Sequence, residues 1–105
     1  MSSLTDADRA HIRALFPRAR LLDIAREIAA ELEMDAAEIM GTSRCADAVQ
    51  ARQMVMAVAQ RDGLSGAAIA RALGVDTGTV RHGIAAHARR VAELEAKAFE
   101  AGVTG

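Results

Sequence analysis

The chain has 105 residues, a mass of 11.0 kDa and a formal net charge of −1, which is enough sequence to bury one core and too little for two. Its 25 alanines, two phenylalanines and single proline, with no Tyr or Trp, favour helix over sheet. They also nearly exclude nucleic-acid modules that stack bases on aromatic rings. The one cysteine, Cys45, cannot close an internal disulfide, so a reducing cytoplasm is the expected setting. No apolar run approaches the ~18 residues of a membrane span, and the opening MSSLTDADRA does not read as a secretory signal.

In chain order, Thr5 before Asp6, Ala7 and Asp8 reads as a helix start, with acids at the positive end of the helix dipole. Ile12, Leu15 and Phe16 recur at helical spacing, and Pro17 stops or bends that helix. Leu21, Ile24, Ala25, Ile28, Ala29 and Leu32 form one apolar face, with Arg26, Glu27 and Glu31 opposite, which predicts an amphipathic helix. Asp35 caps a short turn of helix carrying Ile39 and Met40, and Gly41-Thr42-Ser43 ends it. Asp47 is the predicted cap of the next helix, roughly 47 to 61, with Val49, Ala51, Met54, Val55, Val58 and Ala59 inward. Asp62-Gly63 is a turn, Ser65 caps a short helix with Ile69, Ala70 and Leu73 inward, and a last helix runs from near Thr77 to about Ala101. The expected fold is therefore all-α: one domain over 1–105, a bundle of five to six helices. Its parts are an N-terminal helix in 1–18, a central region over 19–94, and the end of the last helix with a tail over 95–105.

The segment from Ser65 to Ile84 meets the requirements of a helix-turn-helix. Ala70 is small where two helices cross steeply, Gly74 tolerates the positive φ of the turn, and Val75 plugs the turn into the core. Asp76 caps the second helix, and Val80 and Ile84 anchor it inward. A bundle without a DNA role uses the same elements and remains the alternative. Charge is unevenly spread. Residues 1–40 carry five Arg against eight Asp/Glu, 41–92 seven Arg against three Asp, and 93–105 one Lys against three Glu. The helix-turn-helix thus lies in a stretch of +4, while the acidic ends oppose non-specific binding.

From Leu21 to Leu94 the order of elements resembles the C-terminal DNA-binding domain of the bacterial replication initiator DnaA. The likeness runs through an amphipathic helix, a short helix, a loop at Ser43-Arg44-Cys45, a helix with the pair Arg52-Gln53, and the helix-turn-helix. The family's turn signature, Gly-Arg-Asp-His-Thr-Thr-Val, stands here as Gly74-Val75-Asp76-Thr77-Gly78-Thr79-Val80. Asp76, Thr79 and Val80 are kept, whereas Val75, Thr77 and Gly78 replace the Arg, the base-reading His and the first Thr. The resemblance therefore implies the scaffold and binding of double-stranded DNA, without the family's base readout.

On this reading the second helix enters the major groove, where Arg81 and His82 present donors to base edges and Thr77 meets a base edge or thymine methyl. Gly78 lets the backbone approach closely. Thr79 donates to a phosphate, and Arg44, Arg52 and Arg71 clamp phosphates on either side. Each has a plainer role open to it: a solvated surface for Arg71, Arg81 and His82, and an ion pair with Asp47 or another acid for Arg52. His87 reads as a buried or interface histidine. Val80, Ile84, His87, Val91, Leu94 and Ala98 form a heptad-like stripe that either packs on the N-terminal helix or joins two chains as a homodimer. No metal-ligand spacing, activated nucleophile or Gly-x-x-x-x-Gly-Lys-Ser/Thr pattern is present, so neither enzymatic activity nor a cofactor is expected. The function read from the sequence is that of a sequence-recognising DNA-binding regulator of transcription or replication. The alternatives are a protein-interaction adaptor and a small phage-type packaging subunit built on the same scaffold.

Overall fold

The computed structural model describes residues 3–104 and contains six helices: α1 (Asp6–Leu15), α2 (Pro17–Leu32), α3 (Ala36–Met40), α4 (Ala46–Arg61), α5 (Gly66–Leu73) and α6 (Thr77–Thr104). Among the described residues there is no strand.

Local chemistry fixes most helix ends. Thr5 and Asp8 form a reciprocal capping box: the Asp8 N–H donates to Thr5 Oγ1, and the Thr5 N–H donates to Asp8 Oδ2, both at 3.1 Å. Phe16 is extended, as a residue before proline prefers. Pro17 therefore ends α1 and also opens α2, so α2 begins four residues before Leu21 and the break falls at Phe16 rather than after residue 18. Asp35 Oδ1 accepts the Ala37 N–H at the start of α3. The α4 expectation needs correction: the N-cap is Cys45, with no side-chain cap, and Asp47 lies inside the first turn. Its carboxylate still faces the favourable end of the helix dipole.

Leu21, Ile39, Val55, Met56, Ile69 and Val80 are fully buried, so α2 to α6 each supply large side chains to one core. Ala25, Ala29, Ala48, Ala51, Ala59, Ala70 and Ala86 are also buried. The alanine content thus serves close helix crossings rather than propensity alone. No polar or charged residue is buried among those described. The N-terminal helix lies on α2, leaving Leu15 and Phe16 each 58% exposed. Arg18 ties the start of α2 to the end of α5, its Nη1 donating to the Ala72 carbonyl at 2.6 Å. Arg20 pairs with Asp62 at 3.2 Å, joining α2 to the α4–α5 turn.

Helix α6 packs most extensively on α4 and runs antiparallel to it. The last turn of α4 (Gln60) borders Thr77, Val80, Arg81 and Ile84, whereas its first turns (Asp47, Gln50) border Arg90, Val91 and Leu94. Gly83 is buried at this crossing. A Cβ there would lie 2.5 Å from Met56 Sδ and 3.2 Å from Gln53 Cγ. Every residue of α6 from 91 to 100 is exposed, with Val91 and Leu94 at the rim of a groove shared with α4 and the end of α2.

Candidate nucleic-acid interface

The helix-turn-helix is built by three local devices. Ser65 Oγ accepts the Ala68 N–H at 3.1 Å and starts α5. Gly74 ends it at φ 71°, with its own N–H on the Arg71 carbonyl and the Val75 N–H on the Ala70 carbonyl at 3.0 Å. This reversal, with the i+5 bond closing it, requires a left-handed residue that glycine adopts without penalty. Val75 then packs half-buried against the core, and Asp76 Oδ1 accepts both the Thr79 N–H at 2.8 Å and the Thr79 Oγ1 hydroxyl at 2.9 Å.

This geometry turns one face of α6 inward and leaves the other exposed. Val80, Gly83 and Ala86 are buried, whereas Thr77, Gly78, Arg81, His82, Ala85 and Arg89 are exposed. Positions 78, 82, 85 and 89 follow one another at helical spacing, with Arg81 at the edge of the stripe. Neither Arg81 nor His82 makes a hydrogen bond or ion pair within the described residues. Ala67 of α5 borders Arg81 and Thr77 across a shallow groove. Arg71, four residues on from Ala67, is exposed and lines a separate groove with Phe16, Pro17 and Arg18 at the start of α2. Arg44 is exposed in the α3–α4 loop, at the far end of α4 from Arg81. The 16 residues of α4 put roughly 24 Å between the two ends. Thus Thr77, Gly78, Arg81 and His82 come together at the start of α6, Arg71 lies on α5 toward the start of α2, and Arg44 stands apart.

Two of the expected DNA contacts are engaged within the fold. Arg52 is not presented as a phosphate clamp: its Nε donates to the Ile39 carbonyl at 2.9 Å, and one terminal nitrogen donates to the Glu38 and Ser43 carbonyls at 3.3 and 3.1 Å. These carbonyls close α3 and the following loop, so the guanidinium satisfies groups that the short helix leaves open. Thr79, read as a phosphate donor, has its hydroxyl and its N–H on Asp76. Gln53, beside Arg52, accepts from Arg90 Nη1 at 2.6 Å, so the Arg-Gln pair joins α4 to α3 on one side and to α6 on the other.

Residues 22–86 match the bacterial DnaA protein helix-turn-helix family, which is more than half of the chain. The chain belongs to the bacterial DnaA helix-turn-helix family. No curated protein and no solved structure gave a match. The family match covers α5 and the first ten residues of α6, so the DnaA-type unit contains the whole turn and the stripe as far as Ala85. Both family and fold support binding of double-stranded DNA. No helix among the described residues is long and apolar enough to cross a membrane.

In this DnaA-type domain, sequence reasoning missed Arg89. It stands next to Arg90, yet only Arg90 turns inward to Gln53. The signal was available as the 78, 82, 85, 89 spacing.

Titration follows the same geometry. The Thr79 N–H, then the Thr79 hydroxyl, hold the Asp76 carboxyl below its ordinary range against a smaller desolvation effect. A depressed carboxyl pKa stabilises the fold above the unfolded value, and that contribution is lost as pH falls through the folded value. Asp76→Ala is expected to lower the melting temperature at neutral pH, with the gap to wild type closing in acid. A gap that stays constant into acid would refute the capping role. Burial, reinforced by Arg90 and Arg61, holds His87 below the ordinary histidine range. It sits half-buried in a groove with Met54 and Val91.

Proposed function

We propose that this domain is a sequence-recognising regulator of transcription or replication that places the first half of α6 in the major groove of double-stranded DNA. The observation carrying this reading is the outward stripe at the capped start of α6, where Arg81 and His82 have no partner among the described residues. Arg81 presents two donors suited to guanine and His82 one to a base edge, while Thr77 and Gly78 allow close approach. Arg89 at the end of the stripe and Arg71 on α5 serve as phosphate contacts, and Arg44 provides a third at the far end of α4. No catalytic step belongs to this reading.

The three arginines placed on phosphates, Arg44, Arg71 and Arg89, set the expected salt response. The slope of log K against log salt is roughly −2.7 for three neutralised phosphates, and removing one of them reduces it by about 0.9. Selection from a random duplex library, followed by binding at low and moderate salt, tests the proposal. A recovered motif with this slope supports it. Absence of binding at low salt would refute it and favour the protein adaptor. A recovered DnaA box would show that the changes at Thr77 and Gly78 leave the family's readout intact.

A further inference from the structure

A groove between the start of α2 and α5 joins two cations to an apolar surface. Phe16, Pro17, Ala68 and Ala72 line it together with Arg18 and Arg71, and no acid does so. Both arginines are exposed. Elsewhere on α2 the arginines have acids beside them, Arg20 at Asp62 and Arg26 at Asp23. Two guanidiniums on one groove repel each other, and an anion between them relieves that repulsion.

Arg18 is held in place yet keeps donors free. One terminal nitrogen donates to the Ala72 carbonyl, an end group of α5, and a guanidinium has further N–H donors beyond that one. Arg52 is the contrast, half-buried with its donors on three carbonyls. Because the Ala72 bond already orders the Arg18 side chain, a second acceptor binds with less entropy lost.

In helix-turn-helix docking the first helix crosses the DNA backbone while the second enters the groove. Here that first helix is α5. We infer, resting on the proposed DNA-binding role, that Arg18 and Arg71 grip one stretch of the sugar-phosphate strand, with Arg18 on a phosphate and deoxyribose carbons against Phe16 and Pro17. Arg18 precedes the family-matched segment 22–86, so this contact belongs to the part of the chain outside that segment. A duplex is favoured over an acidic peptide because α5 is the helix that this docking mode lays across the strand.

A fourth neutralised phosphate steepens the wild-type salt slope from roughly −2.7 to roughly −3.6. Arg18→Gln should return it to roughly −2.7 without changing the selected base sequence. Arg18→Lys should keep the wild-type slope, since a lysine also neutralises a phosphate. Replacing phosphates of the selected duplex one at a time by neutral methylphosphonates locates the contact. At one position the replacement should weaken wild type roughly fivefold and leave Arg18→Gln unaffected. Were Arg18 only a brace for Ala72, its loss would weaken every duplex alike, and the methylphosphonate profile would match that of wild type. Such a matching profile, or a wild-type slope near −2.7 that Arg18→Gln does not change, would overturn the inference and leave the proposed function standing. Binding of an Asp- and Phe-rich peptide that Arg18→Gln abolishes, with DNA binding unchanged, would overturn it in favour of a protein partner. Absence of wild-type binding to any duplex at low salt would overturn both.

Discussion

Replacing Gly83 by leucine is expected to destabilise the fold by about 3 kcal/mol or more, the top of the usual range for overpacking a core. The site is buried where α6 crosses α4, and even a bare Cβ would lie 2.5 Å from Met56 Sδ. Met56 is itself only 2% exposed, so its side chain has no open space to swing into. At about 4–8 °C per kcal/mol for a domain of this size, the melting temperature should fall by at least ~12 °C. Gly83→Ala, whose Cβ alone meets Met56, should also destabilise, by less than leucine because it adds no further atoms and the helix regains up to about 1 kcal/mol of propensity. A double-mutant cycle isolates the contact. With Met56→Ala, which alone should cost roughly 2–5 kcal/mol, Gly83→Ala should become stabilising, since its methyl enters the vacated space. Equal effects of Gly83→Ala in both backgrounds would show that the two residues do not press on each other.

The second large effect concerns DNA. Arg81→Ala should weaken binding to the selected site by about 1–3 kcal/mol, roughly 5- to 150-fold, and relax preference at one base position. Arg71→Ala should instead weaken selected and random duplexes alike, because phosphate contacts carry no base information. Arg52→Ala provides the contrast. It opens the carbonyls of Ile39 and Ser43, so its effect should appear as loss of stability rather than a changed base preference. A mobility-shift series over selected and random duplexes checks all three. An Arg81→Ala variant with unchanged selectivity would remove Arg81 from the base-reading set.

Where structure is decided within four or five residues, it was legible in the sequence. Thr5, Asp35, Ser65 and Asp76 each cap the helix that follows, and Gly74 takes the left-handed turn, because caps and turns are closed by neighbours in the chain. Features set by contact between distant helices were not legible. The inward turn of Arg52 depends on where α3 docks on α4. The difference between Arg89 and Arg90 is a rotation of about 100° about the axis of α6, and only the position of Gln53 decides which one faces in. The end of α2 also lacked a signal, since Glu33 takes the left-handed conformation at φ 56° where glycine would mark the stop. In the candidate site, Arg81 and His82 could be placed outward by counting from Val80 and Ile84. The capture of the Thr79 hydroxyl by Asp76 could not be, because a cap and a phosphate are equally good acceptors on paper.

The single unbroken run of α6 makes it a torsional shaft. The outward stripe at its start and the exposed far end are two stations on one axis with no joint between them. Inserting one residue between Ala86 and Val91 would turn the far end by about 100° and advance it by about 1.5 Å. Inserting seven would return it to within about 20° of its original phase. The angular setting of the exposed far end is thereby geared to the angle at which the first turns face outward. The two ends of this helix can change sequence separately, but they cannot change spacing separately.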